Sequence, residues 1–162
     1  MDITHVRVDN RLVHGQILEA WIPHLRVSCI IVVDDHVAAD YFCESVIRMA
    51  VPREIEVIIC GLKEFAESYS FHQGSGQKTL VLFSKISDAL AAYRLGFRFD
   101  KLNIGNVYNE ECTLRCSASV LLSDSDVSDL SVLRTEGVQI DLQPVPREKP
   151  VDYLDVIQAK QS

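Results

Sequence analysis

Apolar residues fall along this chain in two alternating rhythms. Short runs rich in β-branched residues, at 4–8, 28–33, 54–60, 79–83, 102–104, 118–122 and 138–142, have the length and composition of strands. Between them lie longer stretches in which apolar residues return every three or four positions, the spacing of one helix face. Residues 16–25 carry Ile17, Leu18, Trp21, Ile22 and Leu25 in this way, with Pro23 near their end, and residues 38–49 carry Phe42, Val46 and Met49 before Pro52. A shorter helix is predicted over 62–69, and a loop containing Gly74 and Gly76 over 70–78. Ser84 is placed to cap a helix through Ile86, Leu90 and Tyr93 that ends near Gly96. Ser123 or Asp124 is placed to cap another through Val127, Leu130 and Leu133 that ends at Gly137. Pro144 and Pro146 then precede a short tail helix over 151–157.

Most of the strand runs are apolar throughout, as strands buried on both faces are. The predicted fold is therefore α/β, an open and mainly parallel sheet of about six or seven strands with helices on both faces. The alternation breaks over 106–118, where the pattern predicts an irregular loop or one antiparallel edge strand. In such a sheet ligands gather outside the carboxyl ends of the strands. Polar and small residues collect there: residues 9–14 after the first strand, Asp34, Asp35 and His36 after the second, Gly61 after the third, Ser84 and Lys85 after the fourth, and Asn106 after the fifth.

Composition narrows the function classes. A chain of 162 residues without an abrupt compositional shift suits a single core. With 48% hydrophobic and 24% charged residues it is neither disordered nor membrane-embedded in character. The longest apolar run, 29–33, is far short of the ~20 residues of a spanning helix, and the first residues lack the pattern of a secretory signal, so a cytoplasmic location is expected. The net charge of −7 argues against a nucleic-acid partner, because the phosphate backbone calls for a basic patch. Five cysteines, an odd number, imply no disulfide framework. Cys112 and Cys116, the one close pair, lack a second pair or a nearby histidine, so neither a metal site nor a cofactor is expected.

The chemistry concentrates in the first loop. His14-Gly15 at a strand-to-helix junction exposes an imidazole beside unpaired backbone N–H groups that suit an anion. A neutral imidazole attacks phosphoryl groups to give a labile phosphoramidate. Arg11, three residues earlier, supplies a guanidinium for the equatorial oxygens of the transferring group. The N–H groups near Val13, Gly15 and Gln16 are placed to cradle the phosphate, and Asp9 to fix the tautomer of His14 or to orient Arg11. Asp34 and Asp35 are read first as turn and cap signals, and Ser84 as an N-cap. Their position at the same sheet edge makes them supporting residues. Gly105 is read as a position needing positive φ and Asn106 as its neighbour in a turn, while His5, His24, His36 and His72 are read as structural or solvated.

The stretch Val6-Arg7-Val8-Asp9-Asn10-Arg11-Leu12-Val13-His14-Gly15-Gln16-Ile17 closely resembles the active-site loop of enzyme IIB of the mannose, fructose and sorbose family of the phosphoenolpyruvate-dependent sugar phosphotransferase system. Asp34-Asp35, Ala50-Val51-Pro52, Leu102-Asn103-Ile104-Gly105 and the segment from Gly137 to Pro146 follow that family in the same order. The resemblance implies a cytoplasmic phosphocarrier domain over 1–146, with 147–162 as a C-terminal tail. It implies that His14 takes phosphate from a phosphorylated IIA protein and gives it to a sugar in a membrane-embedded IIC and IID transporter, with Arg11 stabilising the phosphoryl group. This chain has Asp9-Asn10 where many relatives carry paired acids, and Asn106 where they often carry a second glycine. These departures keep a second class of function in view: a regulatory module whose phosphorylation at His14 controls protein binding without sugar transfer.

Overall fold

The structure, a computed structural model, describes residues 1–69 and 76–162. β1 (Asp2–Asp9) lies inside a seven-stranded sheet and leads into a π-helical turn, Ile17–Trp21, continued by α1 (Ile22–Leu25). There follow β2 (Cys29–Val33), α2 (Asp35–Ala39), α3 (Tyr41–Ala50), β3 (Glu56–Cys60), α4 (Leu62–Ser68), β4 (Lys78–Phe83), α5 (Ile86–Arg94) and β5 (Lys101–Asn106). A small hairpin, β6 (Leu114–Arg115) and β7 (Leu121–Leu122), stands outside the main sheet. The chain closes with α6 (Asp124–Thr135), β8 (Gln139–Leu142), β9 (Val151–Asp152) and α7 (Tyr153–Gln161).

The sheet order is β3-β2-β4-β1-β5-β8-β9, parallel throughout except for the β8–β9 edge. This is the mainly parallel sheet expected, with helices on both faces. From β1 the chain crosses one face toward β2, whereas from β4 it crosses the other face toward β5. The connections therefore diverge at the neighbouring carboxyl ends of β1 and β4, which opens a crevice at that point. The core is divided accordingly. Leu12, Ile17, Trp21 and Ile22 pack on Ile30, Val32, Leu80 and Leu82 on one face. Phe65, Leu90, Leu130 and Tyr153 pack on Ile31, Val81, Phe83 and Ile104 on the other.

Several expected elements differ in ways with local causes. The single helix over 38–49 is two helices, because Asp40 takes an extended conformation (φ −113°, ψ 102°) and caps α3 by accepting from the N–H groups of Phe42 and Cys43. Its apolar stripe faces solvent: Phe42 is 75% and Met49 86% exposed, so the three-and-four spacing identified a face without identifying what it faces. Ser84 does not cap α5. Lys85 occupies the N-cap, and the Ser84 hydroxyl donates instead to Asp34. The run 118–122 contributes to the hairpin rather than to the sheet, and the antiparallel edge strand is β9, inside the expected tail. That tail also carries α7, capped by Asp152 and anchored by buried Tyr153 and Ile157. Of the loop expected over 70–78, residues 70–75, His72 and Gly74 among them, lie outside the described residues, Gly76 has φ +76°, and Lys78 already belongs to β4.

Candidate functional site

Alternation along β1 sends Val6 and Val8 into one core and Arg7 and Asp9 toward the α1 face. The chain leaves β1 through a turn in which the Leu12 N–H donates to the Asp9 carbonyl at 3.0 Å. Leu12 itself adopts a left-handed conformation, φ 54°, and its buried side chain pins the loop into the α1-side core. A branched residue pays of order 1 kcal/mol for that conformation, so it persists where surrounding contacts fix it. His14 then opens the helical segment, its carbonyl accepting from both Ile17 and Leu18 at 3.0 Å. The π-helical turn that follows is an irregularity often found at functional sites. It ends at Trp21, whose ring lies 5.1 Å from the Arg7 guanidinium and whose indole N–H donates to the Pro144 carbonyl at 2.9 Å.

Beneath His14 lies a buried polar network centred on Asp9. Oδ2 of Asp9 accepts from His14 Nε2 at 2.7 Å, from Arg7 Nη2 and Asn106 Nδ2 at 3.0 Å each, and from Arg7 Nε at 3.2 Å. Its Oδ1 accepts the Arg11 backbone N–H at 2.9 Å. Arg7 also donates to Asn103 Oδ1 at 2.6 Å and to the carbonyls of Gln143 and Pro144 at 2.8 and 3.1 Å. Gln16 Oε1 accepts from Asn106 at 3.0 Å and from Arg7 at 3.4 Å. Arg7 and Asp9 are both fully buried, so neither charge is met by water and each depends on these partners. Burial alone would raise the pKa of Asp9. The hydrogen bond from His14, the Arg7 charge and the Asn106 amide outweigh it and hold the carboxyl below its usual range.

This network decides which imidazole nitrogen carries the proton. A carboxylate accepting at 2.7 Å from Nε2 requires an N–H there, which leaves the lone pair on Nδ1. Nδ1 has no hydrogen-bond partner among the described residues. The ring, with 8% of its side-chain surface exposed, lines a groove of about 870 Å³ together with Arg11, Gly15, Gln16, His24 and Arg147. No bond among the described residues engages the N–H groups of Val13, His14, Gly15 or Gln16, as expected at a helix start. A Cβ placed on Gly15 would meet nothing within 4 Å. The groove thus brings unpaired N–H donors and exposed cations beside the imidazole edge, a setting that suits an anion, while the unpartnered Nδ1 is itself buried.

The remaining candidates divide between this groove and the frame around it. Asp34 caps α2 through the Val37 N–H at 2.8 Å and accepts from Ser84, while Asp35 accepts the Leu62 N–H at 2.8 Å. Asn10 ties its amide to the Ser84 carbonyl at 2.6 Å and its oxygen to the Tyr108 N–H at 2.6 Å. These bonds fasten the carboxyl ends of β1, β2 and β4 to one another. Gly105 is not at positive φ. It is glycine because a Cβ there would collide with the Arg7 guanidinium. Asn106, expected as a turn neighbour, is a direct partner of Asp9. Arg7 lies outside the loop residues to which the sequence pattern points. Its signal was a charged pair at i and i+2 in a buried strand, which places both residues on one face.

The family model described as "PTS system sorbose subfamily IIB component" matches residues 3–162. The fructose-specific EIIB component of the phosphotransferase system of Bacillus subtilis (strain 168) is 26% identical over 157 residues, covering 97% of this chain and 96% of that protein. The sorbose-specific EIIB component of Klebsiella pneumoniae is 29% identical over 157 residues, with coverage of 97% and 96%. The crystal structure of the IIBSor domain of the Klebsiella pneumoniae sorbose permease superposes with a TM-score of 0.89 at 29% identity, covering 98% of both chains.

Proposed function

This chain belongs to the sorbose-subfamily IIB components of the sugar phosphotransferase system, and on that footing we propose that it is a phosphocarrier whose His14 accepts phosphate from a phosphorylated IIA protein and delivers it to a sugar. The observation that carries this reading is the pairing of His14 Nε2 with buried Asp9, which leaves Nδ1 as the nucleophile. As the bond from the donor nitrogen to phosphorus breaks, a bond from Nδ1 to phosphorus forms. Asp9 holds the Nε2 proton and balances the positive charge that develops on the ring. Arg11 and the N–H groups of Val13, Gly15 and Gln16 take the phosphoryl oxygens. In delivery a sugar hydroxyl attacks phosphorus and loses its proton to solvent, while the Nδ1–phosphorus bond breaks and the ring leaves as the neutral Nε2–H imidazole.

Nδ1 is buried in this form of the loop, so acceptance requires the ring to be uncovered when the phosphorylated donor docks. Among the described residues no helix is long and apolar enough to cross a membrane. In this reading the chain works from the cytoplasm and meets the sugar at a IIC and IID transporter.

Incubation with phosphorylated IIA, followed by intact-mass measurement, should add one acid-labile phosphoryl group to the wild type and none to His14→Ala. An unlabelled wild type, or equal labelling of the variant, would overturn the phosphocarrier reading. Addition of membranes carrying the cognate transporter and sugar should then discharge the label as sugar phosphate. A label that stays on His14 would point to the regulatory function instead.

A further inference from the structure

The break between α2 and α3 does more than redirect the chain. His36 in the last turn of α2, Asp40 at the break and Cys43 in the first turn of α3 converge, and each offers a ligand atom within 4.8 Å of the other two. Had residues 38–49 formed one helix, as the apolar spacing predicts, two separate helix ends would not face a shared carboxylate. Oδ1 of Asp40 is held by the N–H groups of Phe42 and Cys43 at 3.0 and 3.3 Å, which fixes the carboxylate and leaves Oδ2 available. The Asp40 carboxylate lies close enough to the Cys43 thiol to push its pKa up. His36 is exposed while Asp40 and Cys43 are half-buried, so the carboxylate and thiol are the better-anchored pair and the imidazole stands on the solvent side.

We propose that His36, Asp40 and Cys43 bind one Zn²⁺ at the α2–α3 junction. Imidazole, thiolate and carboxylate are the donors that zinc accepts together, whereas magnesium and calcium favour oxygen alone. Three protein ligands leave a fourth tetrahedral position for water. The ionised Asp40 and Cys43 together match the charge of the cation. The dipoles at the site oppose each other, since the carbonyl end of α2 attracts a cation and the N–H end of α3 repels it. The thiolate and carboxylate therefore supply the binding energy. On binding, Cys43 releases its proton to solvent, and bonds from zinc to sulfur and to Oδ2 replace the thiol contact with Asp40. The site lies outside the His14 groove, so it neither depends on the phosphocarrier reading nor tests it.

The full chain, purified with a non-thiol reductant and without chelator, is titrated with Co²⁺ as a spectroscopic probe and then with Zn²⁺. One equivalent of cobalt should produce a thiolate-to-cobalt charge-transfer band together with intense tetrahedral visible bands, and zinc should displace it. Cys43→Ser should abolish the charge-transfer band, and His36→Ala should weaken zinc binding by about tenfold or more. Cys112→Ser and His14→Ala should retain the band. Circular dichroism checks the fold of each variant. Absence of a band at millimolar cobalt, its survival in Cys43→Ser, or its loss in Cys112→Ser would overturn the proposal.

Discussion

Two sets of charged residues meet at His14, and they differ in almost every physical respect. Below the ring, Arg7 and Asp9 are fully buried, paired at 3.0 Å and bonded on all sides to Gln16, Asn103, Asn106 and the 143–144 backbone. Beside it, Arg11 and Arg147 are exposed and border an open groove. The buried set can fix a tautomer because it has little freedom to do otherwise. In the proposed reading the exposed set meets the arriving phosphate, and among the described residues no hydrogen bond or ion pair commits its guanidinium groups. In the phosphocarrier proposal, orientation and charge neutralisation are thus divided between a rigid half and an adaptable half, and each half should fail in its own way.

The sharpest test of the rigid half is Arg7→Met, which keeps the length of the side chain and its packing on Trp21 but strands Asp9 as a buried carboxylate. Breaking one partner of a buried pair costs roughly 3–5 kcal/mol. Urea unfolding at pH 7 should show that loss. A variant within about 1 kcal/mol of the wild type would mean that the network frames nothing.

Asp9→Asn attacks orientation more directly. The amide side chain can donate to Nε2 as readily as accept from it, so the imidazole is no longer held in one tautomer. Single-turnover phosphorylation of the folded variant should fall by roughly 10²–10³-fold. Nitrogen chemical shifts of His14 should change from an Nε2–H pattern to a mixture. An unchanged rate with the wild-type pattern would remove Asp9 from the mechanism.

Arg11→Ala probes the adaptable half and should separate rate from stability. Loss of its guanidinium should slow single-turnover phosphorylation by about 10²-fold. Unfolding free energy should stay within about 0.5 kcal/mol of the wild type, since the side chain is exposed. Equal damage to rate and stability would place Arg11 with the buried set and erase the contrast.

The division also explains what could be read from the chain before its structure. The parallel sheet and the position of His14 followed from local signals, namely β-branched runs, helix spacing and polar strand ends. The exposed place of Arg11 was legible for the same reason, because it stands in the loop. Of the rigid half only Asp9, which stands at the head of the loop, could be read as a partner of His14; Arg7, Gly105 and Asn106 could not, because they also depend on contacts between distant segments, as in the Asn106–Asp9 bond across 97 positions. A glycine in a strand end suggests a turn until the guanidinium that fills its missing Cβ is in place. The exposed face of α3 failed in the opposite direction: amphipathic spacing reports that a face is apolar, and only the tertiary arrangement decides whether the protein covers it.

His5 extends the rigid half and gives it a pH signature. Its ring stacks on Trp21 with centroids 4.6 Å apart, and Nε2 meets Asn103 Oδ1 at 3.2 Å, the oxygen that also accepts from Arg7. Burial lowers its pKa from 6.5 to about 4, against the hydrogen bond to Asn103 and with help from the Arg7 charge. The unfolded chain therefore takes up a proton near pH 6.5 that the folded chain refuses until about pH 4, so stability rises with pH across this window and is lost on acidification through it. Between pH 7 and pH 5 the loss should be about 1–2 kcal/mol, at the lower end to the degree that solvent reaches the half-buried ring. Asp9, with its pKa below the usual carboxylate range, stays ionised over that interval and contributes no slope. His5→Gln should flatten the dependence measured by urea unfolding at the two pH values. A slope that persists in the variant would assign the acid sensitivity to groups outside the network beneath His14.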